Sequence, residues 1–247
     1  MYRQIERCAR VCYRSENKGT MTSEEFVKKV LIKKDHGRAL EFGTLCFKHP
    51  RNREKTHLIA QWSGYCPWVR YDAENEVLVT NLRFVVELFP NEFEWESLLN
   101  SIDPNQYRPT LLWHISRGIA DEFRTHGMLS GLMESTRWCN YQKKGLDFML
   151  PRWAVDINYE EGIRPAEDSE DMRLYVWMCH NQRAEEDYTE LLRLGLKPEK
   201  ARGVLNLDIA THLVQCGFPE HWLNFFRRRQ ASDAHEDARY ITKRENF

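Results

Sequence analysis

The sequence predicts an α+β fold, helix-rich and in a single domain spanning residues 1–247, on three observations. Segments with β-branched and aromatic strand content fall in the first 90 residues. Apolar periods of 3.6 residues dominate from residue 109 onward. Proline and glycine stand at the starts and ends of those periods, as helices favour.

In chain order, residues 1–15 have helical spacing. Thr22 opens a second helix: its hydroxyl can cap, Glu25 three residues on completes a capping box, and Phe26, Val30 and Leu31 keep the helical period. Strands are expected at 40–47, 57–62 and 76–82. Helices are expected at 110–125, 167–194, 198–216 and 219–229, with Pro198 at a helix start and Gly195 and Gly217 near helix ends. No internal repeat, low-complexity tract or linker divides the chain.

Charge narrows the function classes. The chain has 36 Lys+Arg against 37 Asp+Glu, a formal net charge of −1, so no polycation is present and no nucleic-acid polymer is expected as a partner. Only 12 of 247 residues are glycine, which argues against a fold built on repeated glycine-rich phosphate loops. No run approaches the roughly 20 apolar residues a membrane span needs, and the charged N-terminus lacks the apolar region of a secretory signal. Seven scattered cysteines suit reduced thiols, so the expected location is cytoplasmic. Cys8 and Cys12, four apart, are expected to pack on one helix face. Phosphate-loop, dinucleotide-binding, nucleophile-elbow and zinc-protease motifs are all missing, and the nine histidines form no ligand set, so no metal is expected.

Three stretches concentrate polar chemistry. In residues 117–141, a helical middle would put His126, Ser130, Glu134 and Arg137 on one polar stripe. Hydroxyls and an arginine suit a phosphate and its sugar; a solvated face with a Glu134–Arg137 pair suits the same spacing. In residues 197–216, a continuous helix would put Arg202 on the stripe of Leu205, Ile209 and Leu213, where a guanidinium needs an anion, either a protein carboxylate or a ligand phosphate. In residues 222–239, Trp222, Phe225 and Phe226 make an apolar face with Arg229 at its edge, while Arg227 and Arg228 point to solvent. Arg137, Arg202 and Arg229 could converge on one anionic ligand; spacing does not decide it.

These stretches, in this order, resemble the flavin-dependent thymidylate synthases. The resemblance is carried by ARVCYRSE (9–16), LEFGTLCF (40–47), TNLR (80–83), YRPTLLWHISRGIADE (107–122), ESTRWCNYQKKGLDFMLPRW (134–153), ARGVLNLDIAT (201–211) and FFRRRQASDAHEDAR (225–239). It implies a mixed α+β domain of that type, assembled as a homotetramer. It implies transfer of a methylene from methylenetetrahydrofolate to dUMP, with reduction by FADH2 that NADPH regenerates, and needs no cysteine nucleophile. FAD in that family is not held by a dinucleotide-binding glycine loop.

Position by position, the resemblance makes Arg229 the catalytic arginine that polarises the uracil edge of dUMP. It assigns Glu122, Glu134, Ser135, Thr136, Arg137 and Arg202 to the nucleotide. Thr44, His126, Ser130 and Asn224 fall on the FAD side. The chain departs from the family pattern at Thr125 and Gly127, where arginines flank the histidine, and at Met133, Trp138, Phe42 and Asn206, where a polar residue, tyrosine, histidine and proline are usual. Two lost guanidiniums remove charge-assisted hydrogen bonds of roughly 1.5–3 kcal/mol each. Arg124 is one residue, or about 100° of helix, from the position of the first. Three readings follow: a thymidylate synthase with a rearranged flavin pocket, a divergent homologue methylating or hydroxymethylating another pyrimidine nucleotide, and a non-catalytic nucleotide-binding homologue without FAD.

Overall fold

A computed structural model describes residues 1–15, 19, 21–48, 53–90, 106–157, 164, 166–167 and 170–243, with the side chains of 53–55 excepted. Helices and strands mix along the chain. First come α1 (Tyr2–Val11), α2 (Ser23–Phe26) running into a π-helix (Val27–Ile32), and α3 (Gly37–Leu40). Strand β1 (Thr44–Lys48), α4 (Arg53–Ala60), β2 (Arg70–Asp72), β3 (Val77–Asn81) and α5 (Leu82–Leu88) follow. Next are β4 (Thr110–Ser116), α6 (Arg117–Arg124), β5 (Ser130–Met133), α7 (Tyr141–Lys144) and the long α8 (Glu170–Arg193). The chain closes with α9 (Pro198–Ala201), β6 (Ala210–Cys216), α10 (Pro219–Arg229) and α11 (Glu236–Ile241). One sheet has the order β1-β3-β2, antiparallel, with Thr44 opposite Asn81 and Lys48 opposite Val77; the other has the order β4-β6-β5.

The chain forms two compact units. The first holds Met1–Trp113, His126–Leu132 and Leu213–Leu223; the second holds His114–Thr125, Met133–His212 and Asn224–Phe247. The core of the first packs Ile5, Leu45, Ile59, Val69, Leu78 and Leu82, all essentially without exposure. Phe42 joins Cys8, Val11, Val214 and Cys216 in a second apolar cluster of that unit, so the position where the resemblance expects histidine is fully dry. In the second unit, Cys139, Tyr141, Tyr188 and Ala201 pack together, and Phe123 meets Phe225 edge-on at 4.9 Å.

Several expectations hold. Thr22 makes its capping box with Glu25, β3 falls within 76–82, and α8 and α10 occupy 167–194 and 219–229. Gly195 takes φ of +90° beyond α8, where Leu196 N–H closes back on Leu191 O at 3.0 Å, the left-handed stop that glycine adopts without strain. Cys8 is buried and packs, as expected; burial, and then Cys216, pushes its thiol up to about 12.

Four expectations fail, for physical reasons. Residues 57–62 are not a strand: α4 runs to Ala60, with Thr56 and Ile59 buried and Leu58 exposed, a spacing of three that high β-propensity masked. Only the end of 40–47 is strand, because α3 occupies its first residue. Residues 110–116 are a strand, not a helix: Trp113 and Ile115 are buried and His114 exposed, a period of two, and Ser116 then caps α6. The helix expected over 198–216 stops at Ala201; after a 3-10 turn (Arg202–Val204), Leu205 turns extended, and the Asn206 side chain caps Asp208 N at 3.0 Å before β6 begins. Gly217 therefore follows a strand, and close approach explains it: a Cβ there would lie 2.5 Å from Leu129 Cδ2.

Candidate functional site

In the second unit, the Phe123–Phe225 contact fixes α10 against α6, and Arg229, four residues past Phe225, arrives at the C-terminal end of α6. Its Nη1 donates to Glu122 Oε2 at 2.8 Å, and its Nη2 donates to Glu122 O at 2.5 Å and to Thr125 Oγ1 at 3.0 Å. The guanidinium lies 5.9 Å from the Phe123 ring centroid. A cation here satisfies carbonyls left open by the last helical turn and complements the helix dipole. Thr125, where the resemblance expects arginine, instead helps orient Arg229, and its own hydroxyl donates to Glu122 O at 2.7 Å. The anion that the Arg229 position called for is therefore the Glu122 carboxylate.

Arg202 is not on a buried helical stripe, because the helix ends before Leu205; it is exposed, and its Nη1 donates to Thr136 Oγ1 at 3.1 Å. Thr136 is buried. Ser135 O accepts from Trp138 N and Cys139 N, closing a turn that leaves Arg137 exposed, 3.9 Å from Glu199 and against the ring of Trp138. Arg137, Arg202 and Arg229 thus each have a partner of their own. Arg227 and Arg228 are exposed, as expected, and Arg124 is exposed beside Asp121. Asn224 is exposed too, its side-chain oxygen accepting from Arg227 Nη2 at 3.0 Å.

Glu134 is 1% exposed, so its carboxylate faces the interior. Its N–H donates to His212 O at 2.9 Å, its Oε2 lies 3.3 Å from His212 Nδ1, and its backbone O accepts from Arg117 Nη1 at 3.4 Å. Burial, and then Glu134, push the Tyr141 hydroxyl far above its ordinary value. The His212 ring stacks on that of His114 at 4.5 Å and 10°. A carboxylate at Nδ1 favours the tautomer with the proton on that nitrogen, which leaves Nε2 as an acceptor in the neutral, half-buried ring. The arrangement can orient an imidazole and hold a proton on it.

In the first unit, Thr44 and Ser130 meet one guanidinium. Arg108 is 2% exposed; its Nη1 donates to Glu41 O at 2.9 Å and Thr44 Oγ1 at 3.3 Å, and its Nη2 to Ser130 Oγ at 3.4 Å. The Phe218 ring covers it at 5.6 Å. Its Nε is buried without a hydrogen-bond partner, and no carboxylate pairs with it among the described residues. His126 is half-buried in a turn closed by Leu129 N–H on His126 O at 2.9 Å. The helical stripe of His126, Ser130, Glu134 and Arg137 does not exist, since β5 occupies Ser130–Met133.

These residues fit an anionic cofactor such as FAD in part. A buried cation with an orphan Nε beside two hydroxyls is chemistry that a phosphate would use. The two hydroxyls themselves are buried on Arg108, which leaves His126 and Asn224 as the residues of that set with solvent-accessible surface. Nothing lies within 4 Å of a Cβ placed at Gly127, so crowding does not explain the absence of an arginine there. No group of three or more His, Cys, Asp or Glu is placed to hold a metal among the described residues. Among them also, no helix is long and apolar enough to cross a membrane.

Sequence reasoning missed Arg108, His114, His212, Tyr141 and the role of Thr125. Period-two alternation over 110–116 would have found His114. Spacing does not mark Arg108, although it stands in the quoted stretch 107–122, because its partners are 22 to 67 positions away.

The family model described as thymidylate synthase complementing protein matches residues 107–245. No curated protein matches the chain.

Proposed function

This chain belongs to the thymidylate synthase complementing protein family, the flavin-dependent thymidylate synthases, and from that premise we propose that it converts dUMP to dTMP. The carbon donor is methylenetetrahydrofolate, and the working form is a homotetramer in the cytoplasm. One observation supports the reading above the others: every residue of the nucleotide set, Glu122, Glu134, Ser135, Thr136, Arg137, Arg202 and Arg229, lies inside the matched segment.

Arg229 is the residue that meets the uracil edge. It is already oriented by Glu122 and Thr125, so little reorganisation opposes its stabilising a pyrimidine ionised at N3. Ser135 and Arg137 hold the phosphate, and Arg202, steered by the Thr136 hydroxyl, adds a second cation. Glu134 acts from the interior, positioning His212 to take or give a proton at Nε2. His126 and Asn224 contact FAD, and Arg108 fixes Thr44 and Ser130. When bound, the reduced flavin supplies the hydride, and NADPH restores it.

The test is the purified protein itself. Flavin absorbance, dTMP formation and rescue of a thymidine-requiring bacterium are expected. A colourless protein that binds dUMP and takes up no added FAD would instead support a second reading, a nucleotide-binding homologue without flavin. That reading is favoured by the burial of Thr44 and Ser130 and by Thr125 being engaged with Arg229.

A further inference from the structure

A cavity of about 410 Å³ opens in the first unit, and none of its lining residues is among those assigned to the nucleotide or to FAD above. Apart from Leu132 it is built from residues 9–39, outside the segment the family model matches. That volume is in the range of pockets that enclose small organic ligands.

Its walls divide by chemistry. Ala9, Phe26, Val30, Leu31, Ala39 and Leu132 give an apolar interior. Three basic side chains, Arg10, Lys34 and Arg38, line it against one acidic side chain, Asp35. Arg10 is fixed in place: Glu6 Oε1 accepts from its Nη2 at 2.6 Å and its Nε at 2.8 Å, and its guanidinium sits 5.0 Å from the Phe26 ring centroid. Glu6 is fixed in turn by Ser23 Oγ at 2.5 Å. Arg38 reaches Glu41, whose carboxylate Arg83 also contacts at 2.7 Å, so one carboxylate is shared between two arginines. Lys34 is exposed at the rim.

The backbone around the cavity is also unusual. Val30 and Leu31 come from the π-helix, a rare conformation that concentrates at functional sites. Three residues beyond that helix, Asp35 takes φ of +56°, a left-handed residue that is not glycine, where His36 N–H closes on Leu31 O at 2.8 Å. The wider helix and this stop carry Lys34 and His36 to the cavity lining.

We propose that this cavity is a binding site for a small aromatic carboxylate, its one or two rings among Phe26, Val30 and Leu31 and its carboxylate toward Lys34 and Arg38. An apolar body suits the interior, and Lys34 and Arg38, with Asp35 the one carboxylate of the lining, select an anion over a neutral isostere. The site is independent of the thymidylate-synthase reading.

The test is fluorescence titration of the full chain with 2-naphthoate, alongside its neutral counterpart 2-naphthalenemethanol. Saturable binding of naphthoate, at least tenfold tighter than the alcohol, is expected. Lys34→Glu should weaken naphthoate fivefold or more and leave the alcohol unchanged, and Val30→Trp should abolish both by filling the cavity. Cys12, which lines the cavity, gives a readout on the unmodified chain: naphthoate should slow its alkylation by iodoacetamide while exposed Cys179 reacts unchanged. Equal affinity for acid and alcohol, no binding of naphthoate, or undiminished alkylation of Cys12 at saturating naphthoate would overturn the proposal, whether or not Val30→Trp folds.

Discussion

Substituting glutamine for Glu122 separates two roles that sequence and structure give the same residue. The resemblance places Glu122 on the nucleotide; the geometry places its carboxylate on Arg229 at 2.8 Å. Exposed ion pairs contribute about 0–1 kcal/mol, and breaking a buried one costs roughly 3–5 kcal/mol. Arg229 is 16% and Glu122 37% exposed, between those cases. The Glu122 carbonyl and Thr125 hydroxyl still hold the guanidinium after the change. We therefore expect a loss of about 1–2 kcal/mol in the ordering of Arg229, or roughly 5–30-fold in dUMP affinity. Calorimetric titration of dUMP into wild type, Glu122→Gln, Arg229→Ala and the double variant closes a cycle. If Glu122 acts through Arg229, Glu122→Gln changes affinity by less than about 0.5 kcal/mol once Arg229 is gone, a coupling of about 1–2 kcal/mol. Additive effects would instead put Glu122 directly on the nucleotide.

Thr136→Val removes the acceptor of Arg202 and should weaken dUMP by about 0.5–1.5 kcal/mol in calorimetry, with little further loss when Arg202→Ala is added. Phe225→Ala empties a fully buried site against Phe123 and should cost roughly 3–5 kcal/mol in denaturant unfolding. Gly127→Arg enters open space and should leave the melting temperature unchanged while tightening FAD, read as retained flavin absorbance after gel filtration. Burial works to raise the pKa of Glu6, but hydrogen bonds from Ser23 and Arg10 win and hold it below its ordinary value of 4.5. A depressed carboxylate stabilises the fold fully above its unfolded pKa and loses that contribution as pH falls through the folded one. Thermal melts of Glu6→Gln should therefore show a smaller acid-induced drop than wild type below pH 4.5.

The sequence was legible where local rules decide structure. The Thr22 capping box, the long amphipathic α8 and the exposed Arg227 and Arg228 all follow from spacing of a few residues. It was illegible where a single apolar run serves two periods. Residues 110–125 and 198–216 each contain helix and strand, and the switches lie at Ser116 and at Asn206, caps that look like ordinary polar positions within a helix. Misreading the second segment put Arg202 on a buried stripe and hid His212, which depends on β6 lying beside Glu134. The site partners of Arg229 and Arg108 come from more than 100 and up to 67 positions away, distances at which spacing carries no information.

The most direct measurement is chromatographic detection of dTMP from the purified protein supplied with dUMP, FAD, NADPH and methylenetetrahydrofolate, beside the Arg229→Ala variant. Wild type should form dTMP and the variant none. Unchanged dUMP from a folded, flavin-loaded wild-type protein, or equal dTMP from both proteins, would contradict it.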